Sequence, residues 1–136
     1  MMLATRWSRS CLTALALFAL VGCGLVTSNE ERMARANEQV AAGEYRAAMI
    51  ELKNVLTNDA ENAAARLLLA QVSLGLGDIA AAEKQLLRAG ELGAEANAIM
   101  PLHLDILLAK GEFSEVLAAL SNEDSALNLA QRWRYR

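Results

Sequence analysis

Few side chains in this chain could do covalent or acid–base work. His103 is the single histidine and stands on an apolar stretch between Leu102 and Leu104. It reads as a core or groove residue rather than a base or ligand. No cluster of Cys and His with metal-ligand spacing is present. Ser73 and Ser114 have no base partner close in sequence, so neither reads as a nucleophile. The adjacent acids Glu30-Glu31 and Glu123-Asp124 fall at helix starts, where the macrodipole favours them without any catalytic role. Gly75-Leu76-Gly77-Asp78 is too short for a phosphate loop and follows a helix, not a strand. No catalytic residue, metal or cofactor is therefore expected. The remaining reactive groups are two thiols, Cys11 and Cys23, and what they can do depends on the segments that carry them.

The arrangement that positions everything else is a repeat. Gly43-Glu44-Tyr45 returns as Gly77-Asp78-Ile79 and again as Gly111-Glu112-Phe113, each time 34 residues on. Each copy is Gly, acid, large apolar, and each lies between two apolar patterns of helical period. Self-similarity at that distance in an Ala- and Leu-rich chain predicts helical hairpins stacked as a solenoid, an all-α binding architecture. Ser28-x-x-Glu31 offers a capping box for a first helix over about 30–42. The other helices are expected over 45–57, 63–76, 79–92, 97–110 and 113–120, with a last one over 126–133. Asn58-Asp59-Ala60-Glu61-Asn62 is rich in turn and cap formers and reads as the loop between hairpins. Gly75 inside a helix costs about 1 kcal/mol relative to Ala, which a close helix contact would justify. Gly90 and Gly93 are expected to loosen the end of the fourth helix, and Pro101 to fall in or near the first turn of the fifth, where a missing N–H does least harm. Arg132, Arg134 and Arg136 suit a helix C-terminus; with Trp133 and Tyr135 they read as a frayed, capping end, membrane-surface or nucleic-acid contact being the alternative.

Residues 1–22 read as an export signal. Arg6 and Arg9 supply the positive end, and residues 12–21 form an apolar core. Ten residues of helix rise roughly 15 Å, about half a bilayer core. An uncleaved short span within the uncharged stretch 10–29 is the alternative. Without Arg6 and Arg9, 11 basic residues face 16 acidic ones, a charge of −5. Such a body argues against nucleic-acid binding, which needs a basic face. Leu20-Val21-Gly22-Cys23 resembles the lipobox of bacterial lipoproteins. The resemblance implies cleavage before Cys23, a thioether diacylglycerol on its sulfur and N-acylation of the new terminus. Several acyl chains exceed the marginal hold of one. Gly24, where an Asp would signal inner-membrane retention, favours the periplasmic side of the outer membrane. On this reading Cys11 leaves with the signal and no disulfide can form. The expected organisation is a signal over 1–22, a lipidated tether over 23–29 and a repeat array over 30–136, with repeats at 29–62, 63–96 and 97–130.

The 34-residue period, the Gly-acid-aromatic turn and the small residues inside the hairpins resemble the tetratricopeptide repeat (TPR). The small sites would be Ala36, Ala48 and Val55 in the first unit and Ala70, Ala82 and Ala89 in the second. In the third, Leu104, Val116 and Glu123 stand there, so that unit is expected to pack more openly. Arg32, Arg66 and Met100 occupy the usual tryptophan site of the first helix. The resemblance implies that the first helix of each hairpin lines a groove, here Met33, Asn37, Val40 and Ala41, then Leu67, Gln71 and Leu74, then Pro101, Asp105 and Leu108. That surface is mostly apolar with one polar group per repeat, which suits an extended peptide or an amphipathic helix; packing between repeats is the competing use of the same residues. Leu67→Glu is expected to abolish capture of a partner while leaving helicity unchanged. A closer likeness joins the lipobox to residues 43–56, 65–70 and 76–86, which resemble the TPR lipoproteins of the PEP-CTERM/exosortase system. Those are linked to exopolysaccharide production and surface-protein sorting, and their greater length makes this chain similar to an N-terminal portion. The resemblance implies a membrane-tethered scaffold for protein–protein interaction. Pilus or outer-membrane-protein assembly, or a carbohydrate-processing accessory role, are the alternatives.

Overall fold

The computed structural model describes residues 27–121. They form six α-helices and, among the described residues, no strand: α1 Asn29–Ala41, α2 Tyr45–Asn58, α3 Ala63–Gly75, α4 Ile79–Glu91, α5 Ala96–Lys110 and α6 Phe113–Ser121. From Asn29 to the start of α6 at Phe113, every expected helix end is met to within one residue. Cys23, the rest of the signal, Glu123 and the helix expected over 126–133 lie outside the described residues.

The caps explain why the boundaries were legible. The Ser28 hydroxyl accepts from the backbone N–H of Glu31 at 3.2 Å, and Asn62 and Asp78 do the same for Ala65 and Ala81 at the starts of α3 and α4. At the other ends, Gly77 takes φ +79° while its N–H reaches the Leu74 carbonyl and the next N–H reaches that of Ser73. This double closure needs a left-handed residue, which a Cβ would disfavour. The same pair of bonds closes α1 at Gly43 and α5 at Gly111, so the repeating glycine is the hinge of each hairpin.

Two expectations are corrected. Gly93 does not loosen α4: at φ +87° it closes that helix with the same two bonds, Gly93 N–H to Gly90 and Ala94 N–H to Ala89. Pro101 is the sixth residue of α5, beyond the first turn, so the Asn97 carbonyl loses its usual helical donor. Even from the expected start at Asn97 it is the fifth residue, already past one turn of 3.6 residues, and the observed start at Ala96 sets it one residue deeper.

Two hydrophobic clusters run along the stack. The first joins Ala36 of α1, Ala48, Leu52 and Val55 of α2, and Ala65, Leu69 and Val72 of α3. The second joins Ala70 of α3, Ala82 and Leu86 of α4, and Ile99, Leu102 and Ile106 of α5. Helix α3 belongs to both. Ala36, Ala48, Val55, Ala70, Ala82 and Ala89 are all sealed from solvent, as sites of close helix approach should be. In the third hairpin Leu104 is only half-buried, although Val116 is buried, so that unit is the more open one.

Between the second and third hairpins Lys110 makes two ion pairs, to Glu83 of α4 and to Glu112 in the α5–α6 turn, each at 2.9 Å. The hydrogen bond to Glu83, then that to Glu112, raise its pKa above the ordinary 10.5. A raised lysine stabilises fully below the ordinary value, and that contribution is lost as the pH climbs through the folded value. Lys110→Met is expected to lower the thermal midpoint near neutral pH and to do so less at high salt, because the pair is partly exposed and screened. Equal melting of the two proteins in dilute buffer would contradict this.

Candidate partner-binding face

Successive first helices touch one another, α1 against α3 and α3 against α5, so their outward sides form one continuous face. The residues expected on it divide by burial. Asn37, Ala41, Gln71, Pro101 and Asp105 are exposed, and Leu108 is 48% exposed. Met33 and Val40 are half-buried against the first cluster, and Leu67 and Leu74 against the second. The apolar members in the first two repeats thus serve packing and surface together. In the third repeat Pro101 and Leu108 face solvent. The Asn37 amide donates to the Met33 carbonyl at 2.8 Å, which fixes the side chain along its own helix. His103 is half-buried on α5.

Because Leu67 packs on the core, Leu67→Glu would disturb α3 as well as the face, so helicity would not stay constant. Leu108 is the cleaner probe. Its side chain can carry a charge without leaving a packed position.

Sequence reasoning missed the polar link at the foot of each of the first two hairpins. Arg32 of α1 donates to Glu51 of α2 at 2.9 Å, with Arg35 also pairing to Glu51 at 3.4 Å. One repeat on, Arg66 of α3 donates to Gln85 of α4 at 2.9 Å and to the Ala60 carbonyl of the inter-hairpin loop at 3.0 Å. The guanidinium planes stand where the repeat usually places a tryptophan, and their forked donors tie first helix to second. The third hairpin has Met100 and Ala119 at these positions and no such link. The signal was present as two arginines 34 residues apart, each with a polar residue 19 positions later.

Among the described residues, no three His, Cys, Asp or Glu side chains gather as metal ligands, and no helix is long and apolar enough to cross a membrane.

A family model described as tetratricopeptide repeat matches residues 39–100, from the end of α1 into α5. Together with the glycine hinges and the sealed alanines, this makes the described residues an all-α solenoid of helical hairpins, similar over 39–100 to the tetratricopeptide repeat. Arrays of this kind are protein–protein interaction scaffolds. No curated protein and no solved structure matches the chain.

Proposed function

We propose that the protein is a non-enzymatic scaffold of the bacterial cell envelope, held by an acylated Cys23 on the periplasmic side of the outer membrane. It takes up a protein segment along the α1–α3–α5 face. The observation that carries the binding half is the direct succession of first helices, which lines up Asn37, Gln71, Asp105 and Leu108 at solvent. An extended peptide or amphipathic helix could lie across them, with amides and a carboxylate for polar groups and Leu108 and Pro101 for an apolar anchor. The tethering half rests on Leu20-Val21-Gly22-Cys23, and the setting, exopolysaccharide production and surface-protein sorting, on the likeness of residues 43–56 and 76–86 to TPR lipoproteins of the PEP-CTERM/exosortase system.

The two halves separate experimentally. Cys23→Ser is expected to abolish incorporation of labelled fatty acid and cleavage before residue 23 without changing the helicity of the array. Gln71→Glu with Leu108→Glu is expected to leave membrane attachment intact. It should weaken crosslinking to the envelope partner by at least about tenfold, as loss of an apolar anchor does. Undiminished crosslinking would remove this face from the account.

A further inference from the structure

The second hairpin concentrates positive charge in a way the other two do not. A recess of about 370 Å³ opens beside α4, lined by Arg66, Lys84, Gln85, Leu87, Arg88 and Glu91. Its three cations and one carboxylate leave +2, in a chain whose formal charge is −3. The same positions one repeat earlier are Arg32, Ile50, Glu51, Lys53, Asn54 and Thr57, two cations and one carboxylate, or +1. One repeat later none is charged.

The exchange that matters most is Glu51 for Gln85. Arg32 donates to the Glu51 carboxylate, whereas Arg66 spends its two Nη groups on neutral acceptors, the Gln85 side-chain oxygen and the Ala60 carbonyl. The Nε of each guanidinium is buried without a partner. In the first hairpin the adjacent carboxylate offsets that desolvation. In the second, among the described residues, no carboxylate pairs with Arg66 or with the exposed Lys84. A half-buried guanidinium with no counter-charge beside it attracts an anion.

We infer that this recess binds an acidic protein segment through two of its carboxylates. Lys84 and Arg88 stand one turn apart on α4, about 6 Å along its axis. Alternate residues of an extended chain are about 6.6 Å apart and point the same way, so Glu-x-Glu presents one carboxylate to each cation. Arg88 meets Glu91 at 2.8 Å through one nitrogen and keeps its other donors for the ligand. Glu91 repels a third acid at that end, which limits the match to a pair. Phosphate fits less well. Phosphate sites draw on free backbone N–H groups at helix starts, and residues 84–91 lie past the first turn of α4, where those groups are bonded within the helix. None of the six lining residues is among those assigned to the α1–α3–α5 face, so this site stands apart from the one proposed above.

Nuclear magnetic resonance of the full chain in neutral detergent micelles reads the site directly. The probes are the end-blocked peptides Gly-Glu-Ser-Glu-Gly and Gly-Gln-Ser-Gln-Gly, and inorganic phosphate. The acidic peptide is expected to shift the Arg66 Nε–H and Arg88 signals, and to bind at least about tenfold tighter than its amide counterpart. Its affinity should fall as salt is added. Lys84→Ile with Arg88→Asn, the residues of the first repeat, should weaken it by at least about tenfold. Gln85→Glu should weaken it by about fivefold while holding or raising the thermal midpoint, since it gives Arg66 the partner that Arg32 has. Leu108→Glu should leave this binding unchanged. Equal affinity for the two peptides overturns the assignment, as does affinity indifferent to Gln85→Glu. Phosphate binding as tight as that of the acidic peptide also overturns it, since no segment is then recognised. Binding lost with Leu108→Glu but kept with Lys84→Ile and Arg88→Asn gives the peptide to the other face and ends the inference.

Discussion

Leu86→Ala is expected to cost about 2–5 kcal/mol, the range for emptying a sealed leucine site. A domain of this size has roughly 5–15 kcal/mol in all, so the loss is a large share of what holds the array together. Leu86 is 1% exposed and sits between α3 and α5 in the second cluster. Leu52, one repeat earlier, is fully buried in the first, and its truncation should remove a similar amount locally. The consequences differ because a solenoid is held by nearest-neighbour interfaces. Loss of Leu52 weakens an end unit, so α1 and α2 should open before the rest. Loss of Leu86 strikes the middle hairpin, which α3 shares with the first cluster, so the described array should melt as a whole at lower temperature. Hydrogen exchange followed helix by helix separates these outcomes. If Leu52→Ala loosened α4 and α5 as much as α1 and α2, the additive picture would fail.

That picture was largely legible in the sequence because the signals are local. Gly43, Gly77 and Gly111 mark hinges by backbone conformation alone, Ser28 and Asn62 mark helix starts, and Ala36, Ala48, Ala70 and Ala82 mark closest approach by size. What was not legible depends on partners far apart in the chain. Arg32 announces Glu51 only through the recurrence of the pair one repeat on, as Arg66 and Gln85, and nothing near Lys110 announces Glu83. The outward side of the first helices was legible as a set of positions, since a 34-residue register fixes which residues of each share one side. How deeply each member sits was not, because Leu67 and Leu74 read the same whether they face a partner or the second cluster. The start of α5 was read one residue late because its N-cap, Glu95, makes no side-chain cap bond, so the sequence carries no clear start signal there.

Gly75 lies between these cases, since the sequence announced its strain and only the structure shows the neighbour. It ends α3 in an ordinary helical region, where Ala would be favoured by about 1 kcal/mol. A Cβ built there would meet three ring carbons of Tyr45 at 2.8, 2.8 and 3.0 Å, closer than carbon atoms pack. The ring could give way only by moving off the first cluster, on which it rests. Overpacking of this kind costs about 1–3 kcal/mol, which outweighs the gain in helix propensity. Gly75→Ala is therefore expected to destabilise the protein by about 1–2 kcal/mol. The sign should reverse once the ring is gone: in a Tyr45→Ala background the same substitution should stabilise by up to about 1 kcal/mol. Urea unfolding of the four proteins in the cycle measures the coupling directly. A Gly75→Ala effect of the same sign and size in both backgrounds would mean that the Tyr45 ring does not set the spacing between α2 and α3. The small residue at the end of α3 would then need another cause.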